Sequence, residues 1–98
     1  MNLLKTAPRS KPGAILGIRP EHLEVGQEGW AVQVETSEML GAERLVYCRL
    51  GGPEGELLIV RTDEAHGAPA NGSTIHVRPR EDRIHWFDAD SGKRLADA

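Results

Sequence analysis

The sequence predicts an all-β domain, a small barrel or sandwich of six to seven short antiparallel strands without a long helix. Three observations predict it. Apolar residues alternate with period two in several short runs, Gly, Pro and Asp clusters separate those runs, and no amphipathic stretch is long enough for a useful helix. With 98 residues the chain suffices for one compact domain. So small a core favours closing the sheet on itself, because closure hides strand edges that would attract other chains.

The strands follow in order. Residues 1–13 read as a leading segment and linker, since Lys5 to Gly13 is polar and broken by Pro8 and Pro12. Residues 14–98 are expected to form the single barrel. Ala14 to Arg19 is short and mostly apolar, a buried strand, and Pro20-Glu21-His22-Leu23 opens one helical turn with proline at its first position. Trp30, Val32 and Val34 share one face of a half-buried strand ending near Thr36. From Arg44 to Leu50, Val46, Cys48 and Leu50 oppose Leu45 and Tyr47, so both faces are partly apolar. Gly51 to Gly55 links this strand to Glu56–Arg61, where Leu57 and Ile59 oppose Leu58 and Val60. A longer loop from Thr62 to Gly72 precedes Thr74–Arg78. The last strand, Ile84 to Phe87, turns through Asp88 to Gly92 and returns at Lys93 to Leu95.

Composition narrows the function. Twelve basic against fifteen acidic residues give a net charge of −3, and there are only four aromatics. A nucleic-acid binder draws its affinity from a basic surplus and stacks bases on aromatic rings, so nucleic acid is not an expected partner. Cys48 is the only cysteine, which excludes an internal disulfide. No apolar run approaches the ~20 residues of a membrane helix, and Met1 to Lys5 is no signal peptide. Insertion into a membrane is not expected, and the chain reads as cytoplasmic.

No motif for turnover stands in the sequence. A phosphate-cradling loop needs Gly-Lys-Ser/Thr, yet Gly92-Lys93 is followed by Arg94, and Phe87 holds the place of the first glycine. His22, His66, His76 and His85 are scattered without metal-ligand spacing, although His76 and His85 could meet across neighbouring strands. Asp88 to Gly92 resembles a calcium loop only in part, because strands flank it and no twelfth-position glutamate follows. Cys48, in an apolar strand, reads as a small buried hydrophobe. No catalytic, cofactor-binding or metal-ligating residue is therefore assigned. The doubly apolar strands point elsewhere: Leu45 and Tyr47, or Leu58 and Val60, cannot all enter one small core. They either pack under loops or form an interface.

Several blocks together resemble one known family. Gly17-Ile18-Arg19-Pro20-Glu21-His22-Leu23, Leu40-Gly41-Ala42-Glu43 with Leu45-Val46-Tyr47 and Leu50-Gly51-Gly52, Ile75-His76-Val77-Arg78-Pro79, and His85-Trp86-Phe87-Asp88 with Gly92-Lys93-Arg94-Leu95 resemble, in order, the C-terminal regulatory region of MalK/UgpC-type importer ATP-binding subunits. Met1-Asn2-Leu3-Leu4 is similar to the stretch where the ATPase portion gives way to that region. The resemblance implies an OB-type barrel, often called TOBE, that regulates and dimerises the ATPase of an importer for sugars or glycerol 3-phosphate. It implies as partners the same domain of a second subunit and the ATPase domain, with regulatory proteins or small ligands as further ones. ATP and magnesium would bind the motor, whose motifs this chain lacks, and the assembly would sit at the inner face of the cell membrane. Arg19, Glu21 and His22 on their rigid bend, with Leu45 and Tyr47, are the candidate interface residues. The alternative function is sensing of a small oxyanion or sugar by the same barrel.

Overall fold

The computed structural model describes residues 1–63, 65 and 67–95. Among these residues stand eight strands: β1 (Asn2–Leu4), β2 (Ala14–Ile18), β3 (Leu23–Gly26), β4 (Trp30–Leu40), β5 (Glu43–Leu50), β6 (Glu56–Asp63), β7 (Thr74–Pro79) and β8 (His85–Asp88). Single 3-10 turns cover Pro20–His22 and Glu81–Arg83. All strand pairs are antiparallel, in a three-stranded sheet ordered β1-β2-β8 and a five-stranded sheet ordered β3-β7-β4-β5-β6. The two sheets enclose one core in a barrel-like arrangement that backbone ladders do not close.

Alternation explains which side chains enter that core. Trp30, Val32 and Val34 of β4 face Val46, Cys48 and Leu50 of β5 and Leu58 and Val60 of β6, all buried. Leu58 and Val60 are thus core residues, and the outward set is Leu57 and Ile59. Cys48 is wholly buried, and burial pushes its thiol up to about 11. His76 and His85 do not meet. His76 stands opposite Ala31 and Gly26 in one sheet, and His85 opposite Gly17 in the other. His66 lies outside the described residues.

Two strands are additional to those the alternation indicates. β3 follows the 3-10 turn directly and pairs with β7. β1 comes from the leading segment 1–13: Leu4 and Ala7 are buried in the core, and among the described residues Asn2 is the one buried polar residue. Three residues are too few for a periodicity signal, and Asn2 breaks the apolar pattern.

Asn2 explains why the barrel holds without a continuous ladder. Its Nδ2 donates to the Ile59 carbonyl (2.7 Å) and its Oδ1 accepts from the Ile59 N–H (2.9 Å). The amide thereby does for the outer edge of β6 what a neighbouring strand would do. One turn further, the Glu56 carboxylate accepts from the Lys5 N–H (2.8 and 2.9 Å), the Thr6 N–H (2.9 Å) and the Thr6 hydroxyl (2.9 Å). Burial pushes the Glu56 carboxyl up, but these bonds outweigh it and hold the group below the usual carboxylate range. A depressed native pKa stabilises the fold above the unfolded value, and that contribution is lost as pH falls through the folded one. Asn2→Ala leaves both Ile59 backbone groups without a partner. It should lower the unfolding free energy by about 1–3 kcal/mol in urea titrations, with the transition still cooperative.

Candidate functional site

The Arg19–Leu23 turn is built to be rigid. Arg19 is extended (φ −75°, ψ 148°), Pro20 opens the 3-10 turn, and the Leu23 N–H donates back to the Pro20 carbonyl. The His22 N–H donates to the Arg19 carbonyl (3.0 Å), and the Arg80 N–H donates to the His22 carbonyl (2.9 Å), tying the turn to the segment after β7. Leu23 is buried and anchors its C-terminal side. Just before the turn, Gly17 lies beneath an aromatic ring. A Cβ there would stand 2.6 Å from Phe87 Cε2 and 2.8 Å from Met1 Sδ, so the close approach of β8 to β2 requires glycine.

The three candidate residues of the turn differ in environment. Arg19 and Glu21 are exposed, and His22 is half-buried with its Nδ1 enclosed and without a hydrogen-bond partner. The backbone N–H of Glu21 itself, then the charges of His22, Arg61 and Arg19, hold the Glu21 carboxyl below the usual range against a smaller opposing effect of burial. Beside the turn, an open groove of about 630 Å³ runs along β3 and β6, with Leu23, Val25 and Thr62 among its lining residues. Among the described residues, Glu21, Glu24, Glu43 and Asp63 border it against the guanidinium of Arg61.

Leu45 and Tyr47 point outward from β5 and are half-buried. In register, Tyr47 lies between Thr36 of β4 and Ile59 of β6, and Leu45 between Glu38 and Arg61. The Tyr47 hydroxyl donates to Glu38 Oε1 (2.5 Å), a bond that raises the phenol pKa because it is lost on ionisation. Leu57 and Leu40 are the large exposed apolar side chains on these strands' outward side. Together they form an apolar patch with a charged border, the composition of a protein contact surface.

Arg61 connects the two candidate groups. It is the register partner of Leu45, forms an ion pair with Glu43, and acts electrostatically on Glu21. The 3-10 turn packs against β6, the strand that carries Arg61. The sequence pattern did not single out Arg61, Glu38 or Glu43. Their roles depend on the β4-β5-β6 register, which alternation along β6 leaves open.

Other clusters serve the fold. Asp88 Oδ1 accepts from the Asp90 and Ser91 N–H groups (2.8 and 3.2 Å), so this carboxylate braces its own turn. Among the described residues, no three His, Cys, Asp or Glu side chains assemble around a point that could hold a metal ion. No helix among them is long and apolar enough to cross a membrane.

Tyr47 is the only tyrosine, so its ionisation can be read directly by ultraviolet absorbance. The midpoint should lie above the ordinary value of about 10, and Glu38→Gln should bring it back toward that value. Because the native pKa is raised, the hydroxyl bond is intact below the unfolded value and is lost as pH rises through the folded one.

Comparison with known proteins places this geometry in a family. The TOBE domain family matches residues 16–87. The sn-glycerol-3-phosphate import ATP-binding protein UgpC of Bordetella pertussis is 36% identical over 85 residues, covering 83% of this chain and 23% of the relative. UgpC of Bordetella avium is 35% identical over 103 residues, covering 94% of the chain and 27% of the relative. UgpC of Cupriavidus pinatubonensis is 40% identical over 85 residues, covering 84% and 22%. The chain therefore spans about a quarter of the length of the curated relatives it matches, and it belongs to the TOBE domain family.

Proposed function

We propose that the chain is a non-catalytic regulatory and dimerisation domain of an ATP-binding subunit, serving a bacterial importer for sugars or glycerol 3-phosphate. Its partners are the same domain of a second subunit and the ATPase portion of its own. It works in the cytoplasm at the inner face of the cell membrane, held there through the transporter. The observation that carries this reading is the joining, through Arg61, of the braced Arg19–Leu23 turn to the Leu45–Tyr47 face. Across such a surface, charged groups on a stiff turn fix register, and the apolar patch supplies contact area. ATP and magnesium belong to the motor portion and are assigned to no residue here.

An oxyanion sensor is less well supported. Among the described residues, the groove beside the turn carries four carboxylates against one guanidinium, a balance that repels anions. A thermal-shift series with phosphate, molybdate and sugars would favour sensing if one ligand raised the melting temperature in a saturable way.

The test uses a full-length ATP-binding protein carrying this domain. Glu21→Arg and Tyr47→Glu should leave nucleotide hydrolysis per motor within about twofold while weakening subunit association or abolishing regulation of transport. Unchanged association, transport and regulation in both variants would sink the reading.

A further inference from the structure

β4 is longer than the strand it pairs with on one side. Its first half, Trp30 to Gln33, is laddered to β7, and Val34 still exchanges bonds with that side: its N–H donates to the Ser73 carbonyl (2.8 Å) and its carbonyl accepts from Gly72 N–H (2.7 Å). Beyond Val34 the ladder to β7 ends, whereas β5 continues alongside to the Leu40–Glu43 pair. Among the described residues, the β4–β5 hairpin therefore carries a strand edge without a ladder partner from Glu35 to Leu40, with Met39 43% and Leu40 55% exposed.

The direction of each backbone group on this edge follows from the register. Val34 turns its N–H and C=O away from β5, so its partner Cys48 turns toward β6. Alternation along β5 then directs Val46 and Arg44 toward β6, and a bulge between Val34 and Thr36 resets the phase of β4. Ser37 and Met39, opposite Val46 and Arg44, consequently direct their N–H and C=O groups to the open edge. Among the described residues no backbone partner meets them there.

We infer that this edge pairs with the same edge of a second copy of the chain, antiparallel about a two-fold axis through Ser37. The inference rests on the contact-module reading and names the surface used. A two-fold axis normal to a sheet sets one residue opposite itself, which leaves two long registers. Centring on Glu38 opposes two like charges, a destabilising pair. Centring on Ser37 sets Ser37 against Ser37 and Thr36 against Glu38, and brings Met39 to the bulged Glu35. No like charges oppose one another, and the central residue is one whose backbone groups face the edge. Thr36 and Glu38 lie on the outward side with Tyr47 and Leu45, so pairing makes the two Leu45–Tyr47 faces continuous. The bulge and the two glutamates remain as guards against other strands.

Sedimentation equilibrium of the chain from micromolar to about 1 mM tests the inference. The wild type should show a reversible monomer–dimer equilibrium. Ser37→Pro deletes an N–H that β5 does not use, so far-UV circular dichroism should be unchanged while the dimer dissociation constant rises about tenfold or more. Thr36→Glu, facing Glu38 of the second chain, should weaken the dimer about two- to fivefold, and Thr36→Lys should tighten it by a similar factor. A wild type monomeric at about 1 mM overturns the edge pairing, as does a dimer indifferent to all three changes. In the second case self-association survives through another surface, and the contact-module reading is judged separately by its Glu21 and Tyr47 variants. Strengthening by both Thr36→Lys and Thr36→Glu also overturns it, because the register predicts opposite signs.

Discussion

The paired hydrogen bonds between the Asn2 amide and the Ile59 backbone hold together two sheets that share no ladder. β6 ends the five-stranded sheet, and its outer edge would otherwise expose polar backbone beside a core containing Leu58 and Val60. A buried, unmet N–H or C=O is costly, so the edge needs either another strand or a side chain that imitates one. Asparagine supplies a donor and an acceptor in peptide-like geometry, and Glu56 repeats the device on Lys5 and Thr6. With that seam in place, β6 is fixed relative to β1 and the 3-10 turn, and Arg61 is carried to the groove border.

Most of the fold could be read from alternation because the longer strands each present an apolar face of several residues. Val32 and Val34, Val46 and Cys48, and Val77 all lie where period two puts them. β1 and β3 could not be read so, since three or four residues give no period and β1 is fixed by a polar side chain. The two apolar faces of β6 presented a different problem. Sequence does not say whether Leu58 and Val60 or Leu57 and Ile59 turn inward, and only the β5–β6 register decides it. Turns were easier, because glycine and proline announce them locally.

The candidate surface was legible unevenly for the same reason. The bend at Arg19–Leu23 is local chemistry: a proline opens it and short-range backbone bonds close it. Tyr47 could be suspected because it alternates with core residues on a strand apolar on both sides. Its partnership with Glu38 could not, because a bulge between Val34 and Thr36 shifts β4 by one residue and reassigns every later cross-strand pair. Arg61 was hidden likewise. An exposed arginine at a strand end is ordinary, and only the placement of Glu43 and Glu21 around it gives it a connecting position.

The three-stranded sheet draws on distant parts of the chain, with β2 held between β1 and β8 and Phe87 lying over Gly17. During synthesis, β2 leaves the ribosome some seventy residues ahead of the strand that must cover it. Of the five-stranded sheet, the β4–β5 and β5–β6 hairpins can form in that interval, whereas β3 and the first residues of β4 must wait for β7. Docking β8 onto β2 must then meet the entropy cost of closing a long loop. Until then one edge of β2 lacks its partner strand, an open backbone edge at which a nascent domain is vulnerable to misassembly.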